Sequence, residues 1–336
     1  GRKETISSFF WKINKKLFFL LPLALVMMIF LTPLVTNFLH LPSPFLFILI
    51  FLSFLLGIFI TVEKSFFQGL ILFEKLTFIG ILEGLFRLVL AVLLLSLGWG
   101  LMGAVFPFFL AGIFSFCLSS FFLKTLWQGK RTEPIPEKKE MLSFIFPAFF
   151  TNLGITLLIT SDIILARHFL SAEQAGFYAA LSTLGKIVFF TASPVTGVIF
   201  PMISEAHAAK KKINQIVFLG LFIIGFITIG CLLIFGFFPK VMILALFGQK
   251  YLVLSPYLFS FAVGVAFYSI DVTLLNIFLA RKILLPSALV CLAAVLQIIL
   301  IFFFHGSLAE IVKVFIFVSA LLLFTLLLYY FRNEKH

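Results

Sequence analysis

Two cations sit deep inside apolar stretches of this chain. Arg87 lies halfway along the stretch 76–98, and Lys186 lies about ten residues from either polar end of 176–203. A charged side chain at mid-bilayer costs at least about 2.5–3.5 kcal/mol, so it faces a bundle interior or a wet cavity and has a partner. A guanidinium and an ammonium in such places are suited to holding an anionic group. Glu83 precedes Arg87 by four residues, one helical turn, and the spacing predicts an ion pair along one helix face. Two readings follow. In one, the pair is neutralised and only orients its helix. In the other, Arg87 lends its guanidinium to an anionic head group and returns to Glu83 when the site is empty. Lys186 shares its stretch with Tyr178, Ser182, Ser193 and Thr196, at intervals that place all five on one stripe of a helix. No carboxylate lies one turn from Lys186, so the stripe predicts a face turned to water. Arg87, Lys186, Tyr178 and Ser182 are the cavity-lining, substrate-binding candidates.

Two carboxylates complement them. Asp271 lies near the middle of 255–280, beside Tyr268, Ser269, Thr273 and Asn276. Three readings stand for it: a protonated acid, a partner for a cation on another helix, or the carrier of a coupling proton. Asp162 lies nearer the end of its stretch, with Asn152, Thr156 and Thr160 at helical spacing before it, and reads as an interfacial, water-exposed acid. Glu83, Asp162, Asp271 and Asn276 are the candidates for ion coupling or for tuning the cations. The acid and the ammonium make sense together if helices 141–166 and 176–203 border a hydrated cavity.

Catalytic chemistry has little to work with. The sequence contains no HExxH, GxSxG or P-loop pattern. Its five histidines, at 40, 168, 207, 305 and 336, are scattered near span ends. Cys117, Cys231 and Cys291 lie in apolar runs without metal spacing and read as packing residues. No acidic loop is built to hold Mg²⁺. The expectation is a protein that is not an enzyme, with neither a metal nor another cofactor, driven by an ion gradient, a membrane potential or the gradient of its own substrate.

The elements that must position these residues follow from composition. Of 336 residues, 62% are hydrophobic and 11% charged, against about 45–50% and roughly 25% in soluble domains. A polytopic, all-α membrane protein is the class that accommodates this. Ten stretches reach the length a helix needs to cross hydrocarbon: 17–38, 44–62, 76–98, 101–123, 141–166, 176–203, 214–238, 255–280, 283–304 and 307–331. The net charge of +12 does not point to nucleic acid, because the cations punctuate the gaps between apolar runs. With the N-terminus in the cytoplasm, nineteen of the 25 Lys and Arg residues fall on inside segments and four on outside segments, with two in spans. That excess predicts both ends of the chain in the cytoplasm. Polar segment 124–140 reads as a cytoplasmic linker between a four-span bundle, 1–123, and a six-span bundle, 141–336.

A faint internal repeat supports two bundles. Lys75 and Gly100 recur as Arg281 and Gly306 at one offset, each pair framing an apolar helix before a glycine turn. If the second bundle has six helices and the first is its copy, two helices are expected to precede Gly1. Further residues carry a resemblance. "SDIILARHFLSAEQAGFYAALSTLGKIVFF" with "VIFPMISEA" resembles the start of the second half of bacterial polysaccharide-biosynthesis membrane proteins. "ILALFGQKYLVLSPYL" is similar to the short apolar stretch those proteins carry after their ninth helix, and "FFQGLILFEKLTFIGILEGLFRLVL" to their fourth-to-fifth helix junction. These are oligosaccharide-lipid flippases of the multidrug/oligosaccharidyl-lipid/polysaccharide exporter superfamily. The resemblance implies a two-lobe flippase fold in which the ten spans are helices three to twelve. It implies movement of undecaprenyl-pyrophosphate-linked oligosaccharide across the bacterial cytoplasmic membrane by alternating access, with Arg87 and Lys186 as cations for the pyrophosphate. It also implies work beside polysaccharide polymerase or glycosyltransferase machinery. The other readings are an ion-coupled multidrug or cation exporter of the same superfamily, which calls for acidic cavity residues, and a non-transporting membrane scaffold, which needs no charge at mid-depth.

Overall fold

A computed structural model of the chain describes residues 2–70, 72–128, 138–209 and 213–333. Every regular element among them is a helix, and ten of these are long and apolar enough to cross a membrane, in the places the hydropathy predicts. The chain divides into two compact units, Gly1–Lys138 and Lys139–His336. Of the linker 124–140, residues 124–127 form a helical turn, while 129–137 lie outside the described residues, as do Lys210, Lys211, Lys212 and Lys335 of the charge count.

The first unit consists of α1 (Arg2–Phe38), α2 (Pro44–Gly69), α3 (Phe73–Ser96), α4 (Gly100–Phe122) and the short α5 (Lys124–Trp127). Helix α2 starts on Pro44, and its first turn is capped by Ser43, whose hydroxyl accepts from the Phe45 N–H at 3.3 Å. Helix α4 packs between α2 and α3. At one end of the unit Phe10, Phe67, Ile79, Leu123 and Leu126 close a small apolar core. There the Phe10 ring meets Trp127 edge-on at 4.9 Å, and the Ser7 hydroxyl donates to the Leu126 carbonyl at 2.6 Å. Composition ends the second span at residue 62, but α2 continues to Gly69. The extra two turns carry Glu63 and Lys64, whose polar groups find partners on α3 and α4 and so need no water.

The second unit holds α6 (Lys138–Phe169), α7 (Ala172–Ala208), α8 (Asn214–Phe237), the short α9 (Pro239–Phe247) with a 3₁₀ turn after it (Gln249–Leu254), α10 (Ser255–Ala280), α11 (Leu285–Phe303) and α12 (Leu308–Asn333). Helix α10 is the hub, packed on α7, α8 and α12 and buried along most of its length. Between lipid-exposed helices there is no gain from leaving water, so close packing and interhelical hydrogen bonds must hold them, and small residues let backbones approach. Gly185 on α7 shows this: a Cβ there would stand 2.2 Å from the Phe261 ring of α10. Phe261 in turn stacks on Phe315 of α12, centroids 5.2 Å apart, and Phe315 fills the space that a side chain at Gly264 would need. Phe19, Phe30, Phe218, Phe226 and Phe237 point outward, which suits hydrocarbon.

Candidate functional site

Each unit carries a buried polar cluster. In the first, the Lys64 ammonium of α2 pairs with Glu83 of α3 at 2.8 Å, and the same Glu83 oxygen accepts from the Ser115 hydroxyl of α4 at 2.8 Å. Both members of the pair are largely covered, at 31% and 23% exposure. Next to Lys64, Glu63 is fully buried and accepts or shares hydrogens with the hydroxyls of Ser119 and Ser120, at 2.6 and 2.5 Å. The predicted Glu83–Arg87 pair is not formed. Glu83 is taken by a cation from another helix, and the half-buried Arg87 guanidinium lies over the Phe108 ring of α4, 4.8 Å from its centroid. A cation on an aromatic face is stabilised by about 0.5–2 kcal/mol, depending on how far water is excluded, so Arg87 has a resting place that needs no carboxylate.

In the second unit the polar residues gather between α6, α7, α10 and α11. Asp162 is fully buried, which corrects the expectation of an interfacial acid. It accepts from the Tyr178 hydroxyl at 2.7 Å and from the Ile163 N–H at 2.8 Å. The physical reason is that Tyr178 of α7 points into the core and supplies the donor that water would otherwise supply. The hydroxyl stripe on α7 is corrected with it. Tyr178 and Ser182 face dry protein, both at 0% exposure, and do not line a hydrated surface. Lower on the same helix, Lys186 is half-buried, and Thr196 meets Thr273 of α10 at 2.9 Å. Lys186 and Asp162 attract each other electrostatically across a gap too wide for an ion pair.

Tyr268 of α10 lies within electrostatic reach of both Asp162 and Asp271 and donates to the Ile155 carbonyl of α6 at 3.1 Å. Asp271 is 1% exposed, and neither of its carboxyl oxygens has a hydrogen-bond partner among the described residues. Asn276 is tied to its own helix, donating to the Val272 carbonyl at 2.8 Å. The structure thus brings Asp162, Tyr178 and Lys186 together and relates Asp271 to Asp162 through Tyr268, while Asn276 bonds within its own helix. Two members escaped the sequence reading. Gln297 of α11 donates to the Leu158 carbonyl and to Ser161 at 2.8 and 2.9 Å. A lone amide inside an apolar run was the available signal. Glu63 was hidden because it sits one residue beyond the expected end of its span.

In the first unit Arg87 rests on an aromatic ring; in the second, among the described residues, Lys186 has no carboxylate at ion-pair distance and Asp271 has no hydrogen-bond partner. Residues 3–256 match the family described as "Polysaccharide biosynthesis protein". No curated protein matches the chain. Among solved structures, the lipid II flippase MurJ in an inward closed conformation matches with TM-score 0.73 and 16% identity, over 97% of this chain and 72% of that one. A MATE protein in complex with MaL6 matches with TM-score 0.70 and 13% identity, over 99% and 80%. An outward-facing multidrug resistance MATE transporter of the MOP superfamily matches with TM-score 0.68 and 13% identity, over 97% and 80%. At these identities the likeness is one of fold.

Proposed function

Since the chain belongs to the polysaccharide biosynthesis protein family, we propose that it is a transporter of lipid-linked oligosaccharide and not an enzyme. It moves an undecaprenyl-pyrophosphate-linked sugar across the bacterial cytoplasmic membrane by alternating access, with both ends of the chain in the cytoplasm. The observation that carries this reading is Lys186, an ammonium inside a membrane-spanning helix with no ion pair at contact distance among the described residues. An ammonium so placed is suited to a pyrophosphate, which brings several acceptor oxygens and the opposite charge. Arg87, which lies over an aromatic face and has no ion pair among the described residues, can leave Phe108 for an anion without abandoning a carboxylate. Asp271 supplies the acid for a coupling proton or cation. Polymerase or glycosyltransferase machinery supplies and consumes the substrate.

A second reading, an ion-coupled exporter of cationic compounds, is favoured by Asp271 alone, since a buried unpaired acid also suits a cation. One experiment separates the two. Lys186→Ala, in the full chain at normal abundance, should abolish both surface polysaccharide assembly and leaflet-to-leaflet transfer of a pyrophosphate-linked lipid in vesicles, while Lys186→Arg retains both. Normal assembly in Lys186→Ala defeats the first reading. Loss of drug export on changing Asp271, with polysaccharide intact, establishes the second.

A further inference from the structure

Glu63 plays no part in the function proposed above, yet among the described acids of the first unit it is the most completely enclosed, at 0% exposure. Two hydroxyls of α4 lie against its oxygens, and the Trp127 indole of α5 stands close enough to act on it as a further donor. Ser120 Oγ lies 2.5 Å from Glu63 Oε1, and Ser119 Oγ lies 2.6 Å from Oε2. Ser119 Oγ is also 2.5 Å from the carbonyl oxygen of Ser115, and 3.4 Å from that of Phe116. A serine hydroxyl carries one hydrogen, and a backbone carbonyl carries none to give. The Ser119–Ser115 contact therefore takes the Ser119 hydrogen. An O–H···O contact as short as the one to Glu63 needs a hydrogen near the line between its oxygens. A single Ser119 hydrogen shared between both contacts is bent away from each line, whereas a hydrogen on Glu63 gives each contact its own.

The charges lead to the same place independently. The cation adjacent in sequence, Lys64, is engaged with Glu83 on α3, which also holds Ser115. On α3, Arg87 lies over Phe108 and Lys75 over Phe122, and Glu74 is exposed. On α1, Lys12, Lys15 and Lys16 are exposed, as are Lys124 on α5 and Cys117 on α4. Among the described residues no cation forms an ion pair with Glu63. A buried carboxylate without a counter-charge is strongly disfavoured, whereas a neutral acid with satisfied hydrogen bonds is tolerated.

We infer that Glu63 is a proton-binding site: a neutral carboxylic acid that donates to Ser119, which donates onward to the Ser115 carbonyl, while Ser120 donates to its other oxygen. The proton completes a directed chain that ties α2 to α4. Its loss leaves one Ser119 hydrogen for two acceptors and an uncompensated anion between the helices, so the α2–α4 contact loosens. The proton is thus a ligand of the first unit, whatever the protein transports.

The test is infrared difference spectroscopy of the full chain in lipid nanodiscs, wild type minus Glu63→Gln. The amide of that variant stays neutral and can still donate to Ser119. At neutral pH the difference should contain the carbonyl stretch of a protonated carboxylic acid. That band should vanish on raising the pH, along with a loss of thermal stability that Glu63→Gln does not share. Carboxylate bands in place of the acid band at neutral pH would overturn the assignment. A second variant, Ser119→Ala, removes the acceptor of the acid hydrogen and should move the acid band to higher frequency. An unmoved band in that variant overturns donation to Ser119, even if Glu63→Gln fails to fold.

Discussion

Glu83 had two cations within reach and took the one from a different helix. An intrahelical pair with Arg87 joins two points of the same rigid element, whereas Lys64 and Ser115 draw three helices onto one carboxylate. That choice is measurable in a double-mutant cycle read by thermal unfolding. Glu83→Gln and Lys64→Met should couple by about 0.5–3 kcal/mol, and Glu83→Gln with Arg87→Ala should add within roughly 0.5 kcal/mol. Coupling to Arg87 instead of Lys64 would contradict the geometry. Tyr178 sets a similar case in the second unit. Its hydroxyl is the side-chain donor to Asp162, so Tyr178→Phe strips a buried acid of a partner and should lower stability by about 1–3 kcal/mol. A variant as stable as the wild type would mean that Asp162 is served by another group.

At the scale of elements, α10 is the piece on which the second unit is assembled. It carries Phe261 against Gly185 of α7 and against Phe315 of α12, so three helices meet around one ring. Gly185→Ala inserts a methyl group where the ring already lies and should destabilise by about 1–3 kcal/mol. Phe261→Leu, combined with it, should recover part of that loss by vacating the ring's volume, whereas Phe261→Leu alone should destabilise. If Gly185→Ala is neutral in a melting experiment, α7 and α10 are not packed as closely as described. The same hub explains where the acid cluster sits. Asp271 is held on the most buried helix of the unit, which keeps water from it.

At the scale of the molecule, the excess of Lys and Arg on alternate connections predicts a definite orientation. In a chain cleared of Cys117, Cys231 and Cys291, a cysteine at His305 should react with a membrane-impermeant thiol reagent added outside intact cells, and one at Lys130 should react only after permeabilisation. The reverse pattern would invert the topology. The ten membrane-length helices were legible in the sequence because hydrocarbon demands an uninterrupted apolar run, a property of consecutive residues. So was the placing of Arg87, Lys186 and Asp271 in the inner stretch of a long helix, far from either end. What the sequence could not reveal was who meets whom. Glu83 turning to Lys64, Arg87 settling on Phe108, Tyr178 closing over Asp162 and Glu63 lying beneath two serines all join residues from different helices. Helical periodicity says which residues share a face, but when nearly every face is apolar it does not say which face turns inward. Only the packing of helix against helix decides that, because in a membrane the choice rests on shape and on hydrogen bonds between segments far apart in the chain.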